Sequence, residues 1–387
     1  AFLVAQLLIC SCLVLAATAP AAVAGGGSRP DPNAGPGGPV LVVTGDGTYG
    51  SYLLEIMRGE GLNLFTAGDT SDLTPAALAS YTTVVLGRTT LTSGEVAALT
   101  DWVTAGGNLV ALRPDAQLAG LLGLSAAVGT VSEGYLKVDT STAPGKGIYG
   151  ETMQFHGVAD RHNVVAGTQV VATLYSDATT RTSYPAVTVR SVGTAGGSAA
   201  AFTYDLAESV VLTRQGNPDW ADQNRDGEAG PNRSDDLFFG ASEPDYVDLS
   251  KVDVPQADEQ QRLLANVITE ISVDALPLPR FWYLPRGEKA AIVMTSDNHD
   301  PQWNYGGSVW SRFDNELGAS TPGCSVEDWK CVRSTAYLYP GNTTLTNQEA
   351  AAYQSEGFEL ALHLTTDCTT PTRGEYADML AEQRSAL

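Results

Sequence analysis

The chain has 387 residues, of which 43% are hydrophobic and 17% charged, an ordinary globular composition with length for two or three domains. It carries 44 acidic residues against 22 basic ones, a formal net charge of −22. That balance excludes nucleic acid and anionic membrane surfaces as partners, because phosphate binding relies on Lys and Arg; it suits a soluble extracellular protein or one that binds cations, and solubility alone accounts for it equally well.

Residues 1–24 form an apolar run that turns to small residues and ends in Ala22-Val23-Ala24, an A-x-A cleavage pattern with no basic flank. These features predict a cleaved signal peptide, a mature chain starting near Gly25, and a secreted protein that is free of the membrane after cleavage. Residues 25–38 are rich in Gly and Pro and read as a flexible leader. No later stretch is long and apolar enough to span a bilayer.

From residue 39 onward, strand and helix patterns alternate. "VLVVTGDGT" reads as a strand that ends in Gly and Asp, and "YGSYLLEIMRGEG" as a helix with a Gly stop. "YTTVVLGRTTLTSGEVAALTDWVTAGGNLVALRP" repeats the scheme, with Thr92 and Glu95 at the start of its helix. This alternation predicts an α/β fold built on an open parallel sheet flanked by helices. Between about Gly134 and Tyr204 the pattern becomes β-rich, an extension carrying "QVVATLYS", "YPAVTVRSV" and "SAAAFTYDL". A long loop over 213–240 follows, then a helix over 257–272 and a Pro-punctuated linker over 275–289. The last part alternates again: a strand over 289–294 and a loop, strands in "STAYLYP" and "FELALH", a helix between these two, and a helix from near Gly374. Three such strands predict the first half of a β/α barrel over 285–387, after an α/β domain over 39–280. Export permits disulfides, and Cys324 and Cys331, which flank a short loop, are expected to pair.

Two of the four histidines stand close to strand ends, in "AAIVMTSDNHD" and "FELALHLTTDC". In a parallel β/α barrel, side chains at the carboxyl ends of the strands converge on one mouth. Asp297 and His363 are therefore expected to meet. A carboxylate and an imidazole at a shared mouth suit a hydrolytic metal site, in which N and O ligands hold Zn²⁺ and a carboxylate acts as general base. The same residue types also serve as plain turn formers. In "DQNRDG", Asp222, Asn224 and Asp226 alternate as in the first half of a calcium loop, although Arg233 stands where such a loop needs a bidentate Glu; a solvated acidic loop is the alternative. His156 and His162 read as satisfied loop histidines.

The last quarter of the chain resembles the polysaccharide deacetylase family, the NodB-like carbohydrate esterases. "Thr295-Ser296-Asp297-Asn298" is similar to the Thr-Phe-Asp-Asp motif of that family, and "His363-Leu364-Thr365-Thr366-Asp367" to its His-x-x-x-His motif. The resemblance implies that Asp297 is the catalytic base and that His363 is a metal ligand. Asn298 stands where the family has its metal-binding Asp, and Asp367 replaces the final His. Asn298, Asp367 and the neighbouring His299 are candidate ligands to a divalent metal. Residues 39–280 resemble a class-I glutamine-amidotransferase-like, flavodoxin-type domain. Those enzymes need a nucleophilic Cys, and no Cys occurs between Cys12 and Cys324. The expected role there is binding or structural support, with Thr44-Gly45-Asp46-Gly47 either touching a ligand or forming a plain βα turn. The resemblance implies a secreted, metal-dependent deacetylase of a polysaccharide or cell-wall glycan; the alternative is an inactive glycan- or envelope-binding protein built from two degenerate enzyme domains.

Overall fold

The computed structural model describes residues 35–386 except 46, 226, 228–231, 241–244, 282–283, 285–286, 289–290, 299–308, 340–344 and 367–368. The expected signal peptide and most of the leader lie outside the described residues. So do Asp226, His299, Asp367 and the side chain of Asn298.

The first elements alternate as their patterns predict: β1 (Val40–Val43), α1 (Tyr52–Gly59), β2 (Phe65–Gly68), the short α2 (Pro75–Leu78), β3 (Thr83–Leu86), α3 (Ser93–Thr104) and β4 (Asn108–Leu112). Next come β5 (Thr130–Ser132), β6 (Tyr135–Val138), β7 (Met153–Gln154), β8 (Val158–Asp160), β9 (Gln169–Tyr175), β10 (Arg181–Val192) and β11 (Gly197–Phe202). Helices α4 (Leu206–Gln215) and α5 (Gln256–Ser272) follow. Nine of these strands form one sheet in the order β2-β1-β3-β4-β11-β10-β9-β6-β7, while β5 and β8 pair separately. From β2 to β11 the neighbours are parallel; from β11 to β7 they are antiparallel. The β-rich extension thus lengthens the parallel sheet itself.

The pleat explains why the central strands are apolar over most of their length. Successive side chains point to opposite faces, and both faces are covered. Val40 and Val42, Val85, Val110 and Leu112, and Ala200 and Phe202 belong to one core, with α1, α4 and α5. Leu41 and Val43, Val84 and Leu86, Leu109 and Ala111, and Ala199 and Ala201 belong to the other, with α2 and α3. Each fully buried Val, Leu or Phe in these layers contributes roughly 1.5–3 kcal/mol relative to exposure. Helix α3 starts where expected: Thr92 accepts from the Glu95 N–H, and the Glu95 carboxylate accepts from Thr92 N at 2.7 Å.

A second sheet holds β12 (Thr295–Asn298), β13 (Thr335–Leu338) and β14 (Glu359–Leu362) in that order, all parallel. Helices α6 (Val309–Ala319), α7 (Asn347–Ser355) and α8 (Arg373–Ala386) alternate with them. This is the consecutive strand order of a β/α barrel segment. Its core is small: Phe313, Ala336, Leu338 and Phe358, with Phe313 and Phe358 stacked at 4.1 Å. Cys324 and Cys331 are disulfide-bonded, with Cα atoms 5.4 Å apart.

Three local expectations need correction. The strand expected over 289–294 is instead β12, so Asp297 lies within a strand. Apolar content misplaced it: among the described residues nothing covers Ile292 and Val293, which are 87% and 84% exposed, whereas the polar Thr295–Asn298 segment finds a partner ladder in β13. Helix α4 runs from the last residue of a strand pattern, Leu206, through residues 207–212, which carried no assignment, into the start of the expected loop at Thr213; Asp205 caps it by accepting from Glu208 N at 3.2 Å. Helix α6 lies where a loop was expected. No helix among the described residues is long and apolar enough to cross a membrane.

Candidate functional site

The register of the second sheet decides which side chains meet. Asp297 pairs with Tyr337, which pairs with Ala361; the next residues of the same parity on β13 and β14 are Tyr339 and His363. The opposite parity carries Ala336, Leu338 and Leu360, which pack against α6 and α7 through Phe313 and Tyr353. Asp297 and His363 therefore stand on the face away from the helices, which in a β/α barrel is the interior.

The ladder runs one residue past β14, with His363 N donating to the Leu338 carbonyl at 2.8 Å. That bond fixes the His363 backbone at the carboxyl end of the sheet. The imidazole lies 4.0 Å from the Tyr339 ring, centroid to centroid, with the planes tilted by 30°. His363 Nδ1 is 3.2 Å from the Leu364 carbonyl, and Nε2 is 3.6 Å from Asp297 Oδ2. With the hydrogen on Nδ1, shared with that carbonyl, Nε2 presents its lone pair on the Asp297 side. Metal-bound histidines use the same arrangement, in which the distal N–H is held by a carbonyl or carboxylate. The site is open: the side chains of Asp297 and His363 are 46% and 22% exposed.

The loop after His363 is tied down from α8. Gln383 accepts from Thr365 N at 2.9 Å and donates to the Thr365 carbonyl at 2.6 Å. Neither Gln383 nor Tyr339 was singled out in the sequence. Aligning the three strand ends would have found Tyr339, whereas the Gln383 contact spans a helix and has no local signal.

Thus two of the expected site residues come together, Asp297 and His363. Asn298 follows Asp297 in β12, its side chain outside the described residues, as are His299 and Asp367. Among the described residues no group of three or more His, Cys, Asp or Glu is placed to hold a metal ion. In the expected calcium loop, Asp222 and Asn224 are exposed and Asp226 lies outside the described residues. The Arg225 guanidinium sits over the Trp220 ring at 3.7 Å. His156 and His162 are buried. His162 Nδ1 meets the Ser125 carbonyl at 2.9 Å, whereas His156 bonds Glu133 at 2.7 Å and stacks on Tyr246 at 4.0 Å. His156 Nε2 has no hydrogen-bond partner among the described residues.

No family model matches the sequence, and no curated protein does. Among solved structures, a β-galactosidase from Bacillus circulans sp. alkalophilus is 11% identical with a TM-score of 0.35, over 46% of this chain and 31% of that one. The exo-β-1,4-mannosidase Op5Man5 from Opitutaceae bacterium strain TAV5 is 15% identical with a TM-score of 0.34, over 46% and 33%. Agd3, described as a novel carbohydrate deacetylase, is 18% identical with a TM-score of 0.33, over 46% and 32%. The matched part spans about a third of the length of each of these proteins.

Proposed function

We propose that this is a secreted, metal-dependent deacetylase of a polysaccharide, with its reaction centre at the carboxyl ends of β12 and β14. The observation that carries the proposal is the 3.6 Å approach of Asp297 Oδ2 to His363 Nε2, from strands far apart in sequence, on the sheet face away from the helices. His363 would hold the metal through Nε2, with Asn298, His299 and Asp367 as further ligands. When bound, a divalent cation such as Zn²⁺ supplies Lewis acidity, lowering the pKa of water and polarising a carbonyl.

The chain's own residues do the rest. Asp297 takes a proton as water adds to the acetyl carbonyl. The bond from carbonyl carbon to the sugar nitrogen or oxygen then breaks, the sugar leaves with a proton, and acetate is released. The Leu364 carbonyl keeps the His363 ring in one tautomer, and Tyr339 walls it on one side. The clasp of Gln383 on Thr365 holds the loop that leads to Asp367.

Metal content by elemental analysis, together with acetate release from chitooligosaccharide, acetylxylan and peptidoglycan, tests this in the full chain. Asp297→Ala is expected to abolish deacetylation while the metal is retained, and His363→Ala to lose both. Absence of divalent metal together with absence of acetate release would replace this reading by that of an inactive glycan-binding protein.

A further inference from the structure

The N-terminal sheet has a crevice of its own. The strand order β2-β1-β3-β4 means that the chain leaves β1 toward one side and returns on the other. Helices α1 and α3 accordingly cover opposite faces. At such a reversal the connections leaving the carboxyl ends of the strands diverge and open a crevice, the usual place for ligands in open α/β sheets. A cavity of about 550 Å³ lies there, within the size range of small-molecule sites.

Its walls come from four parallel strand ends. Tyr49 follows β1, Arg88 follows β3, Arg113 follows β4, and Asp205 and Glu208 follow β11. The strands converge closely: a Cβ on Gly47 would stand 4.0 Å from Asp205 Oδ2. Arg113 has a left-handed backbone, φ 39°, and a guanidinium held by both oxygens of Asp160 at 3.2 and 3.3 Å. Asp205 is 5% exposed at the cavity wall, and burial raises its pKa above the ordinary carboxylate value. Arg88 is exposed, and its positive charge acts on the carboxyl groups of Asp205 and Glu208. Besides the Arg113–Asp160 pair and Asp115, which accepts from Leu91 N and Gln117 N, the cavity is lined by Arg88, by the carboxyl groups of Asp205 and Glu208, and by Tyr49 and threonines.

This lining presents charged donors and charged acceptors across one cavity. A phosphate would meet Asp205 and Glu208 at the first turn of α4, where like charge repels it. A simple cation would meet Arg88. A neutral polyol satisfies both, because each hydroxyl donates to a carboxylate and accepts from a guanidinium. We propose that the crevice at the carboxyl ends of β1, β3, β4 and β11 is a binding site for a neutral saccharide unit, its hydroxyls bridging Arg88 to Asp205 and Glu208. The crevice belongs to the N-terminal sheet alone and is read by binding, so it stands or falls separately from deacetylation.

The test is calorimetric titration of the full chain with cellotetraose, chitotetraose and mannotetraose, and with inorganic phosphate and spermidine as charged probes. At least one tetrasaccharide is expected to bind at millimolar concentration. Arg88→Ala and Glu208→Gln are each expected to weaken it about tenfold, the cost of one charge-assisted hydrogen bond. Arg88 is exposed, so its variant decides the matter even where Glu208→Gln fails to fold. The proposal is overturned if none of the three sugars binds, if Arg88→Ala leaves sugar binding unchanged, or if phosphate or spermidine binds more tightly than every sugar.

Discussion

Asp205 shows what a single buried carboxylate costs. Burial raises its pKa above the ordinary carboxylate value, against the pull of the Glu208 N–H bond, Arg88 and Arg113. Glu208 is raised as well, by burial first and by Asp205 second. For such a group the ionised form is disfavoured in the folded state, so stability is lower above the folded pKa and recovers as pH falls through it. Asp205→Asn keeps an N-cap oxygen for α4 while removing the charge. It is expected to raise stability at pH 7 by on the order of 1 kcal/mol, and to give no gain at a pH low enough to protonate Asp205 in both states. Urea denaturation at the two pH values checks this; equal gains at both would reject burial of charge as the cause. The same variant is expected to lose sugar affinity, the usual exchange of function for stability at a binding site.

At the scale of elements, the C-terminal sheet depends on very few side chains. Phe358 stacks on Phe313 and contacts Tyr353 edge-on, in a core with four buried apolar residues among those described. Phe358→Ala is expected to cost about 3–5 kcal/mol, a large part of a domain's stability. Protease cutting within residues 309–386 would report the loss, and unchanged resistance would show that the cluster does not hold these elements together. Ile292 offers the contrast. It is 87% exposed, so Ile292→Ser is expected to change stability by less than about 0.5 kcal/mol in the same assay. The hydrophobic run around Ile292 was the strongest apparent strand signal in this region. The ladder forms instead at Thr295–Asn298, because hydrogen-bond register against β13 outweighs apolar content.

At the scale of the whole molecule, export is a proposal that rests on the A-x-A pattern at Ala22-Val23-Ala24. N-terminal sequencing of the protein recovered outside the cell is expected to begin near Gly25, and an apolar N-terminus retained in a membrane fraction would reject this. Much of the architecture was legible in one dimension. The continuous apolar runs at 40–43, 84–86 and 109–112 declare strands covered on both faces, and Thr92-x-x-Glu95 declares the start of a helix, because pleat, helical period and capping are local properties of the chain. The approach of Asp297 to His363 was also foreseeable, since parallel strands deliver their carboxyl ends to one edge. Tertiary structure alone decided the rest. Strand order placed β11 beside β4 and so brought Asp205 against the loop after β1, which no spacing in the sequence records. Pairing register chose Tyr339 as the neighbour of His363, and helix packing brought Gln383 onto Thr365. These contacts depend on which strands are neighbours and in what register, and that is settled by the burial of the whole sheet, not by any segment of it.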